Sequence, residues 1–413
     1  MLLEEVKNLI EGEVSAGEAD LRLFSQDASI FEVKPELVVR PKNVSDLKKL
    51  GVYVSEKKSS QPTLSLPARA AGSDMTGGPL NESIILDFTA HFNRINEMGD
   101  DYAVVEPGVF YRDFEKETLK KGLLFPSYPA SKNLCALGGI VANNAGGEKS
   151  LSFGKTEKYV RELNVVLSDG NEYVFRPLDA AQLEEKKSQQ NFEGEIYRRM
   201  HELLETNYDL VQSAKPDVSK NSAGYNLWSV WDRNIFDLTQ LIVGSQGTLG
   251  LITKIKLGLI RPKKYSKLFV IFLRDLKSLG DLVNAVVRYK PESFESYDDQ
   301  TLKLAMRFFP GMIFRFLPEA RMVLTRGFPK LVLMAEFTGD DEQEIGRKVD
   351  GVQKDIRSRF NVKTRITRDP ADAEKYWKVR RESFNLLRKH VGEKHTAPFI
   401  DDIVVHVKQL QSF

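Results

Sequence analysis

Apolar positions change their spacing several times along the 413 residues, and each change predicts an element. Val6, Leu9 and Ile10 recur at helical spacing and predict a short leading helix. Residues 36–40 read as a strand stopped by Pro41. A helix running through Leu50, Val52 and Val54 follows, with Ser45 expected as its N-cap. Residues 64–68 read as a strand, and residues 84–88 and 103–106 predict two more around a turn at Gly99-Asp100-Asp101. Residues 112–121 are amphipathic and end at Gly122, a helix-stop signal. Residues 159–166 and 173–175, joined through Ser168-Asp169-Gly170, predict a hairpin. The polar stretch 180–190 reads as an insertion or a surface helix, and residues 196–205 as a further helix. Residues 251–257 alternate as a strand, and past Arg261-Pro262-Lys263-Lys264 strand and helix patterns alternate, with apolar runs at 268–272 and 331–335. A strand–helix–strand opening followed by this mixture points to the α+β or α/β class. The length predicts two domains, divided here as 1–262 and 263–413.

Three stretches interrupt these patterns with glycine: RAAGSDMTGG at 69–78, FPSYPASKNLCALGGIVANNAGG at 125–147 and GSQGTLGLI at 244–252. Glycine lets backbone approach a ligand or bend where a Cβ would clash. Asn143 and Asn144 tolerate the left-handed region and add amide donors and acceptors. Each stretch alone reads equally as a cluster of turns between strands. Neither flanking stretch fits G-x-G-x-x-G at a strand-to-helix turn or a phosphate loop ending in Gly-Lys-Ser/Thr, which disfavours both nucleotide sites. Together the three suit one long, flat, polar-edged cofactor gripped by separate parts of a domain. In 70–78, successive N–H groups in a glycine turn would form an anion-binding concavity, with Ser73 and Thr76 as hydroxyl donors. Arg69 could bond phosphates or support the loop from outside. Asp74 would repel phosphates, so it is expected to point away and accept backbone N–H bonds.

Composition narrows the classes further. Formal net charge is +2, so no nucleic-acid partner is indicated. One cysteine, Cys135, excludes an intrachain disulfide and a cysteine-based zinc site, and it reads as a buried, inert group. The first residues form an amphipathic, charged pattern rather than a signal peptide, and no run reaches the length of a membrane span. The expectation is a cytoplasmic protein, with a peripheral place at the inner face of a membrane as the alternative. The five histidines, His91, His201, His390, His395 and His406, include no pair at helical zinc spacing, and no metal site is expected.

In order, RAAGSDMTGGPLNESIILDFT, VVEPGV, the central stretch, SFGK, VVLSDG and GSQGTLGLIT resemble the FAD-binding domain of the vanillyl-alcohol-oxidase type. Within it they resemble the FAD-linked 2-hydroxy-acid dehydrogenases of the D-lactate and glycolate group, from about Asp27 to Leu257. The resemblance implies an α+β chain: a two-subdomain FAD-binding domain followed by a partial α/β cap domain for substrate. It implies FAD held noncovalently, since 69–78 contains no histidine. The cofactor residues it implies are Ala70, Ala71, Gly72, Ser73, Asp74, Met75, Thr76 and Gly77 in the first loop, and Pro126, Ala136, Gly138, Gly139, Ala142, Asn143, Asn144, Gly146 and Gly147 in the second. Gly154, Gly247, Gly250 and Ile252 complete that set. Relatives often have glycine at 70 and glutamate at 246, where this chain has Ala70 and Gln246.

For substrate, the resemblance points to Lys220 and Tyr225 in a segment closing one side of the active site, although a loop with a packed tyrosine would read the same. It points also to Arg380 in a Trp-x-x-Arg pattern, as a carboxylate clamp or a solvated helix arginine. Residues 401–407 resemble a strand that in the family precedes about a hundred more residues, which carry His and Glu as metal ligands and base. The sequence is therefore expected to be a fragment, or to have a different catalytic half, and no catalytic residue is assigned. The implied reaction is oxidation of a 2-hydroxy acid by hydride transfer to flavin N5, with an unidentified electron acceptor. Two alternatives stand beside it: a sugar, alditol or lactone oxidase or sugar-nucleotide reductase on the same domain, and a truncated flavin-binding protein without turnover.

Overall fold

The computed structural model describes residues 2–218, 220–308, 327–391, 403–410 and 412, with side chains for all of these but 384–391. The chain divides into two compact units, 1–146 with 155–261 and 147–154 with 262–413.

The first unit opens with α1 (Leu2–Leu9), β1 (Glu13–Ser15), α2 (Glu18–Phe24), β2 (Leu37–Arg40), α3 (Val44–Lys57), β3 (Ala68–Arg69) and β4 (Ile84–Asp87). The strands form one sheet in the order β1-β2-β4-β3, with β2 and β3 parallel to β4. Because side chains alternate across a strand, Leu37, Val39, Ile84 and Leu86 meet Val6, Leu47 and Leu50 on one face, and Val38 and Ile85 meet Leu21 and Phe24 on the other. Two sequence expectations are corrected here. The cap of α3 is Asn43, not Ser45: Asn43 is extended, and its side chain accepts the Asp46 amide at 3.0 Å, which leaves Ser45 inside the first turn. The strand expected at 64–68 reduces to Ala68–Arg69. Ser65 and Pro67 accept from the amides of Ile84 and Leu86, but Pro67 has no N–H to return a bond.

A second sheet follows, built from β5 (Ile95–Met98), β6 (Tyr102–Val105), β7 (Val160–Val166), β8 (Glu172–Phe175) and β9 (Leu251–Gly258). All neighbours are antiparallel, in the order β5-β6-β9-β7-β8. Gly170, at φ +74°, turns the β7–β8 hairpin. Between β6 and β7 lie α4 (Tyr111–Lys120) and α5 (Leu137–Ala142), with Gly122 at φ +69° just past the end of α4. The short α6 (Ser150–Phe153) belongs to the second unit. Helices α7 (Ala180–Ser188), α8 (Phe192–Thr206), α9 (Tyr208–Ser213) and α10 (Thr239–Ile242) fill the interval before β9. Val105, Leu163, Val165, Ile255 and Leu257 of this sheet share one core with Tyr111, Phe125, Tyr197 and Phe236.

The second unit holds β10 (Tyr265–Leu273), α11 (Leu279–Val287), β11 (Ser293–Asp298), α12 (Asp299–Phe308), β12 (Leu331–Gly339), α13 (Glu342–Arg359), β13 (Lys363–Ile366) and α14 (Pro370–Val391). Its sheet is antiparallel in the order β11-β12-β10-β13. Helices α11 and α13 cover the face of Phe269, Ile271 and Ala335, and α12 and α14 cover that of Leu268, Val270 and Met334. Both faces are buried, so β10 carries an unbroken apolar run.

A charged knot ties β13 to α14. Both carboxylate oxygens of Asp372 accept from Arg365 Nη2, at 2.9 and 2.8 Å; Asp372 also accepts the Arg368 amide at 3.1 Å and pairs with buried Lys375 at 3.1 Å. Burial alone would raise the Asp372 pKa, but the Arg368 amide, Lys375 and Arg365 outweigh it and hold the carboxyl below its ordinary value. Its stabilising effect is therefore present above the unfolded value of about 3.9 and is lost as pH falls through the lower folded value. Asp372→Ala is expected to cost about 3–5 kcal/mol in urea unfolding, because Lys375 is left buried without that partner. The variant's stability should also respond less to acidification below about pH 4 than the parent's does.

Candidate functional site

Three glycine segments of the first unit meet. The loop after β3 turns through Gly72 at φ +63° and Gly77 at φ +85°. Among the described residues, the amides of Ala71, Gly72, Ser73, Asp74 and Met75 donate to no protein acceptor. Consecutive unpaired N–H groups around a left-handed glycine form a concavity suited to an anion. The Asp74 carboxylate bends back within the loop instead: Oδ2 accepts the amides of Thr76 at 3.1 Å and Gly78 at 2.8 Å, and the Thr76 hydroxyl at 2.7 Å. Thr76, expected as a hydroxyl donor to ligand, has its hydroxyl and amide both engaged by Asp74 because the turn brings them there.

Arg69 lies under the loop. Its guanidinium donates to the carbonyls of Phe24 at 3.3 Å and Gln26 at 2.7 Å and stacks on the Phe24 ring. Burial pushes its pKa down, against the pull of Asp27 and Asp87. A Cβ at Gly72 would fall 2.3 Å from Arg69 Nη2, so the loop needs glycine there on two counts.

The second segment becomes a helix, α5, in a stretch whose sequence read either as a surface for a flat ligand or as a cluster of turns. Leu137, Gly138, Ile140 and Val141 face the core, while Gly139, Ala142 and Asn143 lie on the open side at helical spacing. The Gly138 amide donates to the Pro107 carbonyl at 2.7 Å, and a Cβ on Gly138 would fall 2.6 Å from the Pro107 ring. A Cβ on Gly139 would instead stand 3.6 Å from the Ala70 Cβ, so the open side of α5 adjoins the first loop.

The third segment closes the arrangement. Gly244 and Gln246 donate backbone bonds to the carbonyls of Val141 at 3.0 Å and Ala142 at 2.9 Å. Gln246 Nε2 donates to Asn143 Oδ1 at 2.9 Å, and Gln246 Oε1 stands 3.4 Å from the Cβ position of Gly78. Gln246 thus bonds the end of α5 and lies beside the first loop, in a left-handed conformation at φ +55°. Gly247, at φ +75°, opens onto free space.

Several expected cofactor residues also make contacts within the protein. Asn144 sits at φ +44°, is buried, donates to the Glu157 carboxylate and accepts the Glu157 amide at 3.0 Å. Its side chain is occupied from within because the left-handed turn points it inward. Gly250 leaves room for Val165, which a Cβ would approach to 2.5 Å, and Ile252 is part of the core and pairs with Val165. Pro126 and Ala136 are buried, and Ala136 bridges to Phe110. Gly146 ends the first unit's share of the stretch. Gly147 donates to Ser150 Oγ at 2.7 Å, and Gly154 stops α6 at φ +76°, both within the second unit.

Among candidate substrate residues, the Tyr225 hydroxyl lies 2.8 Å from Thr248 Oγ1 of the third segment, and Lys220 is half-buried. In the second unit Arg380 Nε donates to Glu295 Oε2 at 2.8 Å, so β11 holds the guanidinium. Arg381 grips Glu148 with two bonds of 3.0 and 2.8 Å. His201 packs against Trp231 and Phe236, and burial together with Lys187 pushes its pKa down. His91 pairs with Glu13 at 2.8 Å. The side chain of His390, and His395 as a whole, lie outside the described residues. Among the described residues no group of three or more His, Cys, Asp or Glu could hold a metal ion, and no helix is long and apolar enough to cross a membrane.

Two outcomes follow from this geometry. Gly138→Ala is expected to lower stability by about 1–3 kcal/mol through overpacking against Pro107. Gly139→Ala should be neutral or stabilising by up to about 1 kcal/mol, since alanine favours helix; equal losses in thermal unfolding would refute the difference between the two faces. Burial pushes the Cys135 thiol up to about 12 despite its hydrogen bond with Ser131. It should therefore resist thiol reagents at pH 8 in the native protein and react once unfolded.

The comparisons agree with this arrangement. Residues 35–175 match the FAD binding domain, and residues 262–413 match the C-terminal domain of FAD linked oxidases. The D-2-hydroxyglutarate dehydrogenase of Pseudomonas putida is 28% identical over 100% of this chain and 41% of its own length. That of Escherichia coli is 26% identical over 97% of this chain and 40% of its own. Glycolate oxidase subunit GlcD of Bacillus subtilis is 26% identical over 68% of this chain and 49% of its own. The chain thus spans about two-fifths of the length of the two dehydrogenases. Among solved structures, an alkyldihydroxyacetonephosphate synthase superposes with a TM-score of 0.65 at 15% identity, covering 94% of this chain and 63% of that one, which speaks to fold alone. The unpaired amides at 71–75 and the side-chain-free surface at Gly139 and Gly247 fit a phosphate-bearing, flat-ringed cofactor. The chain thus joins an FAD binding domain to a C-terminal domain of FAD linked oxidases.

Proposed function

We propose that this chain forms the flavin-holding part of an FAD-dependent oxidoreductase that oxidises a 2-hydroxy acid. The observation that carries the reading is the run of unpaired amides at 71–75 beside the open face of Gly139, Ala142 and Asn143. The names of the relatives, D-2-hydroxyglutarate dehydrogenase and glycolate oxidase subunit, support the substrate class.

Bound FAD supplies an acceptor for the hydride of the substrate CH–OH. The protein's part is to bind and orient. The amides of Ala71 to Met75 would meet the phosphates, and the bonds from Thr76 and Gly78 keep the Asp74 charge turned away from them. Gly139, Ala142 and Asn143 would offer a surface low enough for a ring to lie against backbone, with Gln246 fixing its edge. Attachment would be noncovalent, because the first loop holds no nucleophilic ring nitrogen or thiol and Cys135 is buried. Lys220 and Tyr225 would border the substrate. In the second unit, Arg380 would act as a carboxylate clamp by exchanging its bond to Glu295 for one to another carboxylate, which a guanidinium fork allows.

The test uses the FAD-loaded chain. Acid precipitation should leave the yellow chromophore in the supernatant; flavin in the pellet would overturn noncovalent attachment. Gly139→Val should fold yet retain little FAD, since a branched side chain would stand where the ring must approach. Anaerobic mixing with D- and L-2-hydroxy acids should bleach the flavin with one enantiomer. Bleaching by sugars or lactones and by no 2-hydroxy acid would overturn the substrate class.

A further inference from the structure

Lys155 is a nearly buried lysine in the first unit that the reading above does not use. It lies 3.2 Å from the Glu157 carboxylate, and its ammonium also donates to the backbone carbonyl of Asn221. The residues beside it are bolted to the end of the central glycine run. Glu157 exchanges two bonds with the Asn144 side chain, and the Thr156 amide and hydroxyl donate to the Ala145 carbonyl at 3.1 and 2.7 Å. From that fixed base Lys155 reaches the loop that carries Lys220 and Tyr225. The other end of the loop is held by the Tyr225 hydroxyl on Thr248 and by Asn226 on Gln240 at 3.5 Å. Between the anchors the Asn221 side chain braces its near neighbour Ala223, and Gly224, at φ +71°, meets nothing within 4 Å of its Cβ position among the described residues.

We infer that Lys155 is a positioning residue that fixes the loop 220–226 against the glycine run. This rests on the proposal that the run holds FAD and the loop borders the substrate. A carbonyl is an acceptor that no side-chain change in the loop could replace, so the placement depends on the cation. The bond joins a charged donor to a neutral acceptor in a half-buried setting, and a bond with a charged partner is worth more than one between neutral groups.

The experiment is hydrogen exchange by mass spectrometry on the FAD-loaded parent and on Lys155→Met. Exchange in peptides covering 220–226 should rise roughly ten- to hundredfold, while peptides covering 70–78 and β9, and the FAD content, stay unchanged. Lys155→Arg, which keeps the charge and reach, should restore most of the protection. Should Lys155→Met fail to fold, Lys155→Gln, with a neutral donor and shorter reach, is read the same way. Unchanged exchange in 220–226, or a uniform rise across the unit, would overturn the inference. In the same variant the KM for the bleaching 2-hydroxy acid should rise by a larger factor than kcat falls. The exchange result needs no substrate, so a parent inert to every 2-hydroxy acid would sink the functional reading and leave the positioning role decided by exchange alone.

Discussion

Everything at the candidate site depends on one close approach, the packing of Gly138 against Pro107. Because no side chain intervenes, α5 lies directly on the loop after β6, bonded to it by the Gly138 amide. That seats the opposite face of the helix beside Ala70 and sets the height at which Gln246 can reach both Asn143 and the first loop. Backbone packing of this kind is unforgiving. A methyl group at Gly138 has nowhere to go but into the proline ring, whereas the same group at Gly139 meets ordinary contact distance.

Much of this was legible in the sequence, and the reasons differ between elements. The hairpin of β7 and β8, the alternation of β9 and the end of α4 were readable because each rests on local chemistry: a turn glycine, a period of two, a left-handed stop. The first loop was readable too, down to an Asp74 carboxylate that accepts backbone N–H groups. What the sequence hid was nonlocal. Nothing near Gly138 announces that its partner is Pro107, thirty-one positions earlier, so a short helix read as a ligand surface or as turns. The cap of α3 was misplaced because Asn43 and Ser45 are both competent caps, and only the path of the chain out of β2 selects between them.

Asn144 and Gly250 teach a similar lesson about reading ligand contacts from glycine and asparagine. Both residue types serve a backbone need first. Asn144 adopts a left-handed conformation and then uses its amide on Glu157, and Gly250 makes space for a neighbouring strand. Residues facing a ligand and residues that hold the ligand's support in place leave the same signature in a sequence. The difference emerges only from which atoms are already satisfied.

The division of the chain has a consequence for recombination. Residues 147–154 belong to the second unit although first-unit residues flank them on both sides, so the polypeptide passes between units at 146–147, at 154–155 and again at 261–262. A single breakpoint near 261 would therefore not exchange the units between two homologues. It would transplant the second unit without Glu148 and Lys149, whose partners Arg381, Glu292 and Glu336 would travel with the new parent. Chimeras made that way inherit charges from different lineages in one half-buried cluster. Successful exchange calls for swapping the eight-residue insert together with the carboxyl-terminal portion, and natural shuffling within the family should have left these positions inherited as a linked block.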